Sequence, residues 1–354
     1  MSSIADVYEV VVSVDTHTDT HTAAVLDRLG AVRAQATAGT DPAGLTELLT
    51  FADAHTPPGA RRLWVIDGTR AHGQGLTRLL HAAGETVAEA PKPAVRGAYR
   101  RGGKSDARDA VAAGRAVLAQ PVEGLATPRA DGPREALRML LACRRHHSDT
   151  RTATINLLKS LILTADEPLR GALRGRPTTA QVRHLLHLPT EPGLPVDQHT
   201  RRQLLTNLAQ QIHTLTQLLA DNHRQLRTLV GHLCPPLLAQ PGVGPVTAAI
   251  ALTAWSHPGR VRSEAAYAAL AGANPIPVAS GRTDRHRLNR GGDRTLNVAL
   301  HTIAITRRRT DPTTRAYLQR RQAQGRTTKE ITRCLKRYIA RQLYRTMTTH
   351  HHTP

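Results

Sequence analysis

The chain is 354 residues long, enough for two or three domains, and 40% hydrophobic but only 3% aromatic, so its cores must rest on Leu, Val, Ile and Ala. No apolar run approaches the roughly 18 residues of a membrane span, the N-terminal segment lacks a basic-then-apolar leader, and Cys143, Cys234 and Cys334 form no CxxC pair. Export, a membrane partner, a disulfide framework and a zinc site are thereby disfavoured, and a cytoplasmic, nucleoid-associated protein is expected. The net charge of +21 is uneven: residues 1–110 carry 12 basic and 13 acidic groups, residues 276–354 carry 18 and 4. A near-neutral beginning joined to a cationic end points to a polyanion partner, and few aromatics make phosphate contacts the expected mode.

Residues 8–15 (YEVVVSVD) read as a buried strand, followed by HTAAVLD (21–27) and AVRAQAT (31–37) on either side of Gly30, a three-stranded antiparallel start. DPAGLTELLTFADAH (41–55) opens with an Asp N-cap and a proline at the first helical position, which predicts a helix. RRLWVID (61–67) is a strand, 71–83 a helix, ETVAEA (85–90) a strand, and Lys104–Ala119 a helix packed through Val111, Ala112, Ala116 and Leu118. The order β-β-β-α-β-α-β-α over residues 1–125 is the layout of a ribonuclease-H-like α/β domain.

From 126 to 235 the pattern is helical, with Pro and Gly clustered around 121–133 and 166–198 and long helices expected over 134–163 and 199–233. Leu205, Leu208, Ile212, Leu215, Leu219, Asn222, Leu226 and Leu229 recur at alternating steps of three and four. That is a coiled-coil seam with one polar intrusion. It serves equally an antiparallel hairpin with 134–163 or a dimerising coiled coil between protomers. The segment 236–354 reads as a basic, mostly helical domain. LLAQPGVGPVTAAIALTA (237–254) has two apolar helices around a tight turn, 265–309 follows, and an amphipathic basic helix spans 328–346. His350–His352 read as a disordered tail.

Four acids stand out. Asp15 ends the first strand, Asp67 ends a later one, and Asp106 and Asp109 share a helix face,. In a ribonuclease-H-like sheet these positions can converge, and carboxylates so placed repel one another unless a cation joins them. Oxygen ligands suit Mg²⁺ or Mn²⁺, which assist phosphodiester chemistry. Asp19 and Asp27 compete as acids, but Asp19 falls in a hairpin turn and reads as solvated. The PGVGP turn (241–245) looks like a helix-hairpin-helix turn, in which Gly242 and Gly244 let backbone N–H groups approach a phosphate. A plain inter-helix connection has the same signature. In the polar stretch Val278–Gly292, read as a flexible loop, Ser280 is followed by Arg282, Arg285, Arg287 and Arg290, with Arg294 just beyond. A serine among arginines suits a phosphoryl-transfer nucleophile, and it equally suits a simple phosphate-binding turn.

VVSVDTH (11–17), VIDGTRAHG (65–73), KSDARDA (104–110), LLAQPGVGPVTA (237–248), AALAGANPIPVASG (268–281) and NRGGDRTLNVAL (289–300) resemble, in order and spacing, the DEDD-type transposases of the IS-one-ten insertion-sequence family. The resemblance implies a RuvC-like N-terminal domain, a coiled-coil insertion that associates protomers into a dimer or tetramer, and a C-terminal transposase domain. It implies that Asp15, Asp67, Asp106 and Asp109 bind divalent metal, that Ser280 forms a phosphoserine link to DNA, and that a structured guide RNA directs donor and target DNA. The chain departs from the family at Asp67, where Glu is usual. Two other readings are a junction-type endonuclease that uses water and a non-catalytic nucleic-acid-binding derivative.

Overall fold

The computed structural model describes residues 2–91, 105–189, 191–280 and 283–352. They form two compact units, Met1–Ala130 and Asp131–Pro354.

The first unit is organised by β1 (Val10–Thr16), whose seven residues are all buried. Such a strand needs neighbours on both edges and cover on both faces. β2 (Thr20–Asp27) pairs antiparallel on one edge and β4 (Arg62–Ile66) parallel on the other. β3 (Val32–Gly39) and β5 (Val87–Glu89) complete a mixed sheet in the order β3-β2-β1-β4-β5, consistent with the ribonuclease-H-like layout expected. Strand alternation divides β1 between two cores. Val10, Val12 and Val14 join Leu45 and Leu48 of α2 (Pro42–Ala54) and Leu76 and Leu80 of α3 (Gln74–Ala82). Val11 packs instead with Leu63, Val65, Val117 and Leu118, on the face covered by α4 (Asp106–Leu118). A short N-terminal helix, α1 (Ile4–Val7), contributes Ile4 to this second core. The Asp41 cap is formed as expected, its Oδ1 accepting from the Gly44 amide at 2.8 Å.

The second unit contains both the long helical pair and the basic C-terminal segment. α5 (Pro133–Leu163) and α8 (Val196–Leu233) run antiparallel within the chain. Asn222 donates to the Leu140 carbonyl (2.9 Å), Arg151 to Thr216 (2.8 Å) and Arg201 to the Leu161 carbonyl (3.2 Å). The heptad seam therefore faces α5 of the same chain, and its polar intrusion is satisfied by backbone. Burial along the pair is concentrated at its ends. At one end Leu158, Ile162, Leu205, Ala209 and Ile212 join α6 (Glu167–Leu173) and α7 (Thr178–Leu186). At the other, Leu137, Leu226 and Val230 merge with the C-terminal core around Trp255, Tyr267 and Leu300. Between Ile212 and Asn222 no α8 residue is fully buried, nor is any α5 residue between Leu137 and Thr154.

The C-terminal part runs α9 (Pro235–Leu238), α10 (Pro245–Trp255), α11 (Glu264–Leu270), β6 (Pro275–Ser280), β7 (Thr283–Leu288), α12 (Arg294–Thr310), α13 (Pro312–Ala323) and α14 (Thr328–His352). Two sequence expectations are corrected here. Most of the stretch read as a flexible loop is an antiparallel hairpin, β6–β7, paired from Pro275↔Leu288 to Ser280↔Thr283. The expected disordered tail is helical through His352, because Trp255 offers a ring on which His351 stacks at 4.9 Å. No helix among the described residues is long and apolar enough to cross a membrane.

Cys234 sits at the α8–α9 junction, fully buried, and burial pushes its thiol up to about 11. The thiolate is the nucleophile, so at pH 8 iodoacetamide should modify exposed Cys143 in the native protein and reach Cys234 only after unfolding. Mass mapping of the modified peptides checks this. Equal modification of the two thiols under native conditions would contradict the buried position.

Candidate active site

The site lies at the end of β1 on the α4 face. Val11, Ser13 and Asp15 alternate onto that face, and α4 reaches it because Gly114 has no side chain. A Cβ there would come within 2.7 Å of Ser13 Oγ and 2.8 Å of Leu26 Cδ1. The close approach brings the helix start to the strand end. Ser105 caps α4 through the Arg108 amide, and Asp106 and Asp109 occupy its first turn, where the helix dipole favours carboxylates.

The geometry is compact. His17 Nε2 lies 3.3 Å from Asp15 Oδ2 and 3.2 Å from Asp106 Oδ1. One ligand atom from each of Asp15, His17 and Asp106 lies within 4.8 Å of the others. Asp15 is buried while the Asp106 side chain is half exposed. Burial raises the Asp15 carboxyl above its ordinary value; His17 opposes the shift, and Asp106 and Asp109 add to it. The negative charge is thus only partly compensated, and the imidazole stands where a cation would relieve it. These donors fit a divalent ion. The carboxylates suit Mg²⁺ or Mn²⁺, while His17 fits better as the group that orients Asp15.

Asp67 follows the last residue of β4. Its amide donates to the Val14 carbonyl (3.0 Å) and its carbonyl accepts from Thr16 Oγ1 (2.8 Å). The two strand ends are therefore latched side by side, with Asp67 next in register to Asp15. The Asp67 residue is exposed and is not one of the three residues grouped around His17. Gly68, at φ 65°, and Gly73 permit the tight return, since a Cβ on Gly73 would meet Ile66 at 2.8 Å. Among the competing acids, Asp27 is spent on the β2–β3 turn, where it accepts from the Leu29 and Ala31 amides, and Asp19 is exposed.

His17 was not singled out from sequence. A partial signal was present: residues i and i+2 of a strand share a face, and His17, one residue beyond β1, still lies on the side of Asp15.

The basic and serine positions belong to the second unit. Ser280 ends β6, and Arg285 lies in β7. Arg282 and the side chains of Ser280 and Arg285 are outside the described residues. Arg287, Arg290 and Arg294 are exposed, and Arg294 opens α12 behind the Asp293 cap. In the PGVGP turn, Gly242 has φ 74° and packs on α12, where a Cβ would lie 3.0 Å from the Ile303 carbonyl oxygen. The buried Arg307 donates to the Pro241 carbonyl at 2.7 Å. Gly244 directs its amide to Thr247 Oγ1 at 3.0 Å. Replacing Gly242 by alanine should lower stability by about 1–3 kcal/mol, from left-handed backbone strain plus the close approach to Ile303. A fall in the urea midpoint at unchanged slope would report it, and an unaltered midpoint would contradict this packing role.

Residues 12–165 match a family model described as "Transposase", of the DEDD IS110 type, and residues 234–319 match one described as "Transposase IS116/IS110/IS902 family". No curated protein matches the chain.

Proposed function

The chain belongs to the IS110 family of DEDD transposases, and from that premise we propose that it cleaves and rejoins the DNA strands of an insertion sequence through an acidic metal site and a serine nucleophile. The observation that carries this reading is the convergence of Asp15, His17 and Asp106 within 4.8 Å, with Asp109 close enough to act on Asp15.

Asp15, Asp106, Asp109 and Asp67 would hold Mg²⁺ or Mn²⁺, which supplies charge neutralisation and Lewis-acid polarisation at a phosphodiester. Asp15, fixed in a paired strand, is the rigid member of the set; α4 brings Asp106 and Asp109 to it. His17 holds Asp15 in orientation. Ser280 Oγ attacks phosphorus: the Oγ–P bond forms, one P–O bond to deoxyribose breaks, and the hydroxyl proton ends on the leaving oxygen. The second strand-transfer step reverses this exchange with a different hydroxyl. Exposed Arg287, Arg290 and Arg294 and the basic α13 and α14 are placed to grip phosphates. Asp67, one methylene shorter than the family's usual Glu, has its backbone held against β1, which supports a ligand role despite the shorter reach. A guide RNA and a homo-oligomer are further parts of the proposal; the cationic second unit suits the former, and exposed Leu157, Leu163 and Leu204 on the α5–α8 pair suit the latter.

The decisive experiment incubates the protein with the element's flanking DNA, its RNA and Mg²⁺, then resolves covalent protein–DNA adducts on a denaturing gel. Wild type should form the adduct, and Ser280→Ala should form none while still binding DNA. Continued cutting by Ser280→Ala without adduct would instead indicate a water-using endonuclease.

A further inference from the structure

In the second unit, the base of the β6–β7 hairpin, the end of α13 and the first half of α14 enclose a cleft of about 620 Å³. Six cations line it: Arg287, Arg321, Arg326, Arg333, Lys336 and Arg337. Among the described residues Glu330 is its one carboxylate, and it already accepts from the Thr327 amide and hydroxyl at 2.9 and 2.8 Å. Arg326 approaches Glu330 at 3.9 Å. The other cations of the cleft have no ion pair among the described residues.

Three details distinguish this cleft from a generally basic surface. Lys336 is half-buried, and its ammonium meets the neutral Asn297 amide oxygen rather than a carboxylate. Arg321 Nε is buried with no acceptor among the described residues. Arg333 and Arg337 are four apart on α14, an arrangement that repels in an isolated helix. Arg321 Nη1 donates to Gln324 Oε1 at 2.8 Å, so only its Nε is left over. A buried donor without an acceptor costs stability. An anion seated in the cleft would accept from that Nε, offer Lys336 a charged partner and offset the repulsion between Arg333 and Arg337.

An aromatic pair flanks these cations. Tyr338 follows Arg337, is 56% exposed, and meets Tyr317 edge-on at 6.0 Å between ring centroids. Tyr317 lies close enough to Cys334 and Arg321, both cleft residues, to feel them electrostatically. Tyr338 sits four residues beyond Cys334, hence on the same helix face. Basic groove plus exposed ring is the combination that binds single strands, with phosphates on the cations and a base on the ring. A duplex backbone would meet the cations but offers no unstacked base to Tyr338.

We propose that this cleft seats a single-stranded nucleic-acid segment, with phosphates among Arg321, Arg333, Lys336 and Arg337 and a base stacked on Tyr338. The inference deepens the functional reading above and rests on it for the nature of the polyanion. It assigns single-strand capture to residues 321–338, a role distinct from that proposed for Ser280.

The test measures binding of a fluorescein-labelled oligothymidylate of about 15 nucleotides by anisotropy, over a range of salt and without divalent cation. Arg333→Glu with Arg337→Glu should weaken binding about tenfold or more and flatten the salt dependence by about 0.7 for each phosphate no longer neutralised. Tyr338→Ala should cost about fivefold with little change in that slope. The matched control is Arg183→Glu with Arg227→Glu, two exposed arginines of α7 and α8 with the same net change of charge, which should lose far less. Equal losses in variant and control, or an equal loss for duplex and single strand, would overturn the assignment.

Should the charge reversal prevent folding, Cys334 provides a second measurement in the otherwise native chain. With Cys143→Ser, alkylation of Cys334 should slow about fivefold when the oligothymidylate is bound, and undiminished alkylation at saturating oligonucleotide would overturn the proposal. Neither assay requires cleavage. Absence of a wild-type adduct therefore counts against the functional reading alone, and unchanged binding by the variants counts against the cleft alone.

Discussion

Gly114→Leu is expected to destabilise the first unit by about 3 kcal/mol or more and to abolish metal-dependent cleavage. Even a Cβ at this position would lie 2.7 Å from Ser13 Oγ and 2.8 Å from Leu26 Cδ1. Ser13 sits in the middle of β1, which is hydrogen-bonded to β2 on one edge and β4 on the other, so the strand cannot yield. The helix must move instead, and it carries Asp106 away from the histidine that it meets at 3.2 Å. Gly114→Ala separates the two consequences. Its better helix propensity, worth about 1 kcal/mol, offsets part of the clash. The protein should therefore remain folded yet show a smaller thermal shift on Mg²⁺ addition. Urea midpoints and Mg²⁺-dependent melting together check the prediction. A leucine variant with the wild-type midpoint would show that α4 is not seated on Ser13.

The second large effect is the opposite in sign for stability. Asp15→Asn should abolish cleavage, with a loss on the order of a thousandfold or more, as expected when a metal-assisted reaction loses its buried carboxylate. The same change should leave the melting temperature unchanged or raise it in metal-free buffer. Asp15 is buried beside two other carboxylates, and folding raises its pKa. A group with a raised folded value contributes stability only at low pH and loses it as pH rises through that value. At neutral pH the ionised side chain is therefore a cost, which the neutral amide removes. Mg²⁺ should raise the wild-type melting temperature by preferential binding to the folded form, and the variant should not respond. Retention of the Mg²⁺ shift in Asp15→Asn would place the ion elsewhere.

Much of the first unit was legible because local and global preferences agree there. The strand and helix boundaries expected over 8–119 fall within three residues of those observed, since β-branched runs, the Asp41 cap and the Ser105 cap act locally. The strand-end positions of Asp15 and Asp67 were legible for the same reason. Their companion His17 lies one residue beyond β1, where strand alternation gives only a weak signal. What local pattern could not convey is the seat of α4: a glycine in mid-helix looks like a weak point until Ser13 is found against it.

In the second unit, α6 and α7 were hidden within a Pro- and Gly-rich stretch. Their few apolar residues, Leu169, Leu173, Val182 and Leu185, acquire meaning only against the α5–α8 pair. The β6–β7 hairpin was obscured by its charges, which read as loop although Ile276 and Val278 alternate as in a strand. The leucine seam was plain, but a three-four repeat does not name its partner. Asn222, finding the Leu140 carbonyl, closes it within the chain.

That closure leaves the long pair anchored at both ends and wet at its waist. Across the span from Ile212 to Asn222, the two helices hold each other through little dry surface, with Arg151 and Arg144 reaching across to Thr216 and the Leu219 carbonyl. Amide protons there should exchange with solvent sooner than those near Leu205 or Leu226, because local opening at the waist exposes little new apolar surface. Each anchored end can then respond to its own surroundings, so a disturbance at the α6–α7 tip should fade before reaching the C-terminal core.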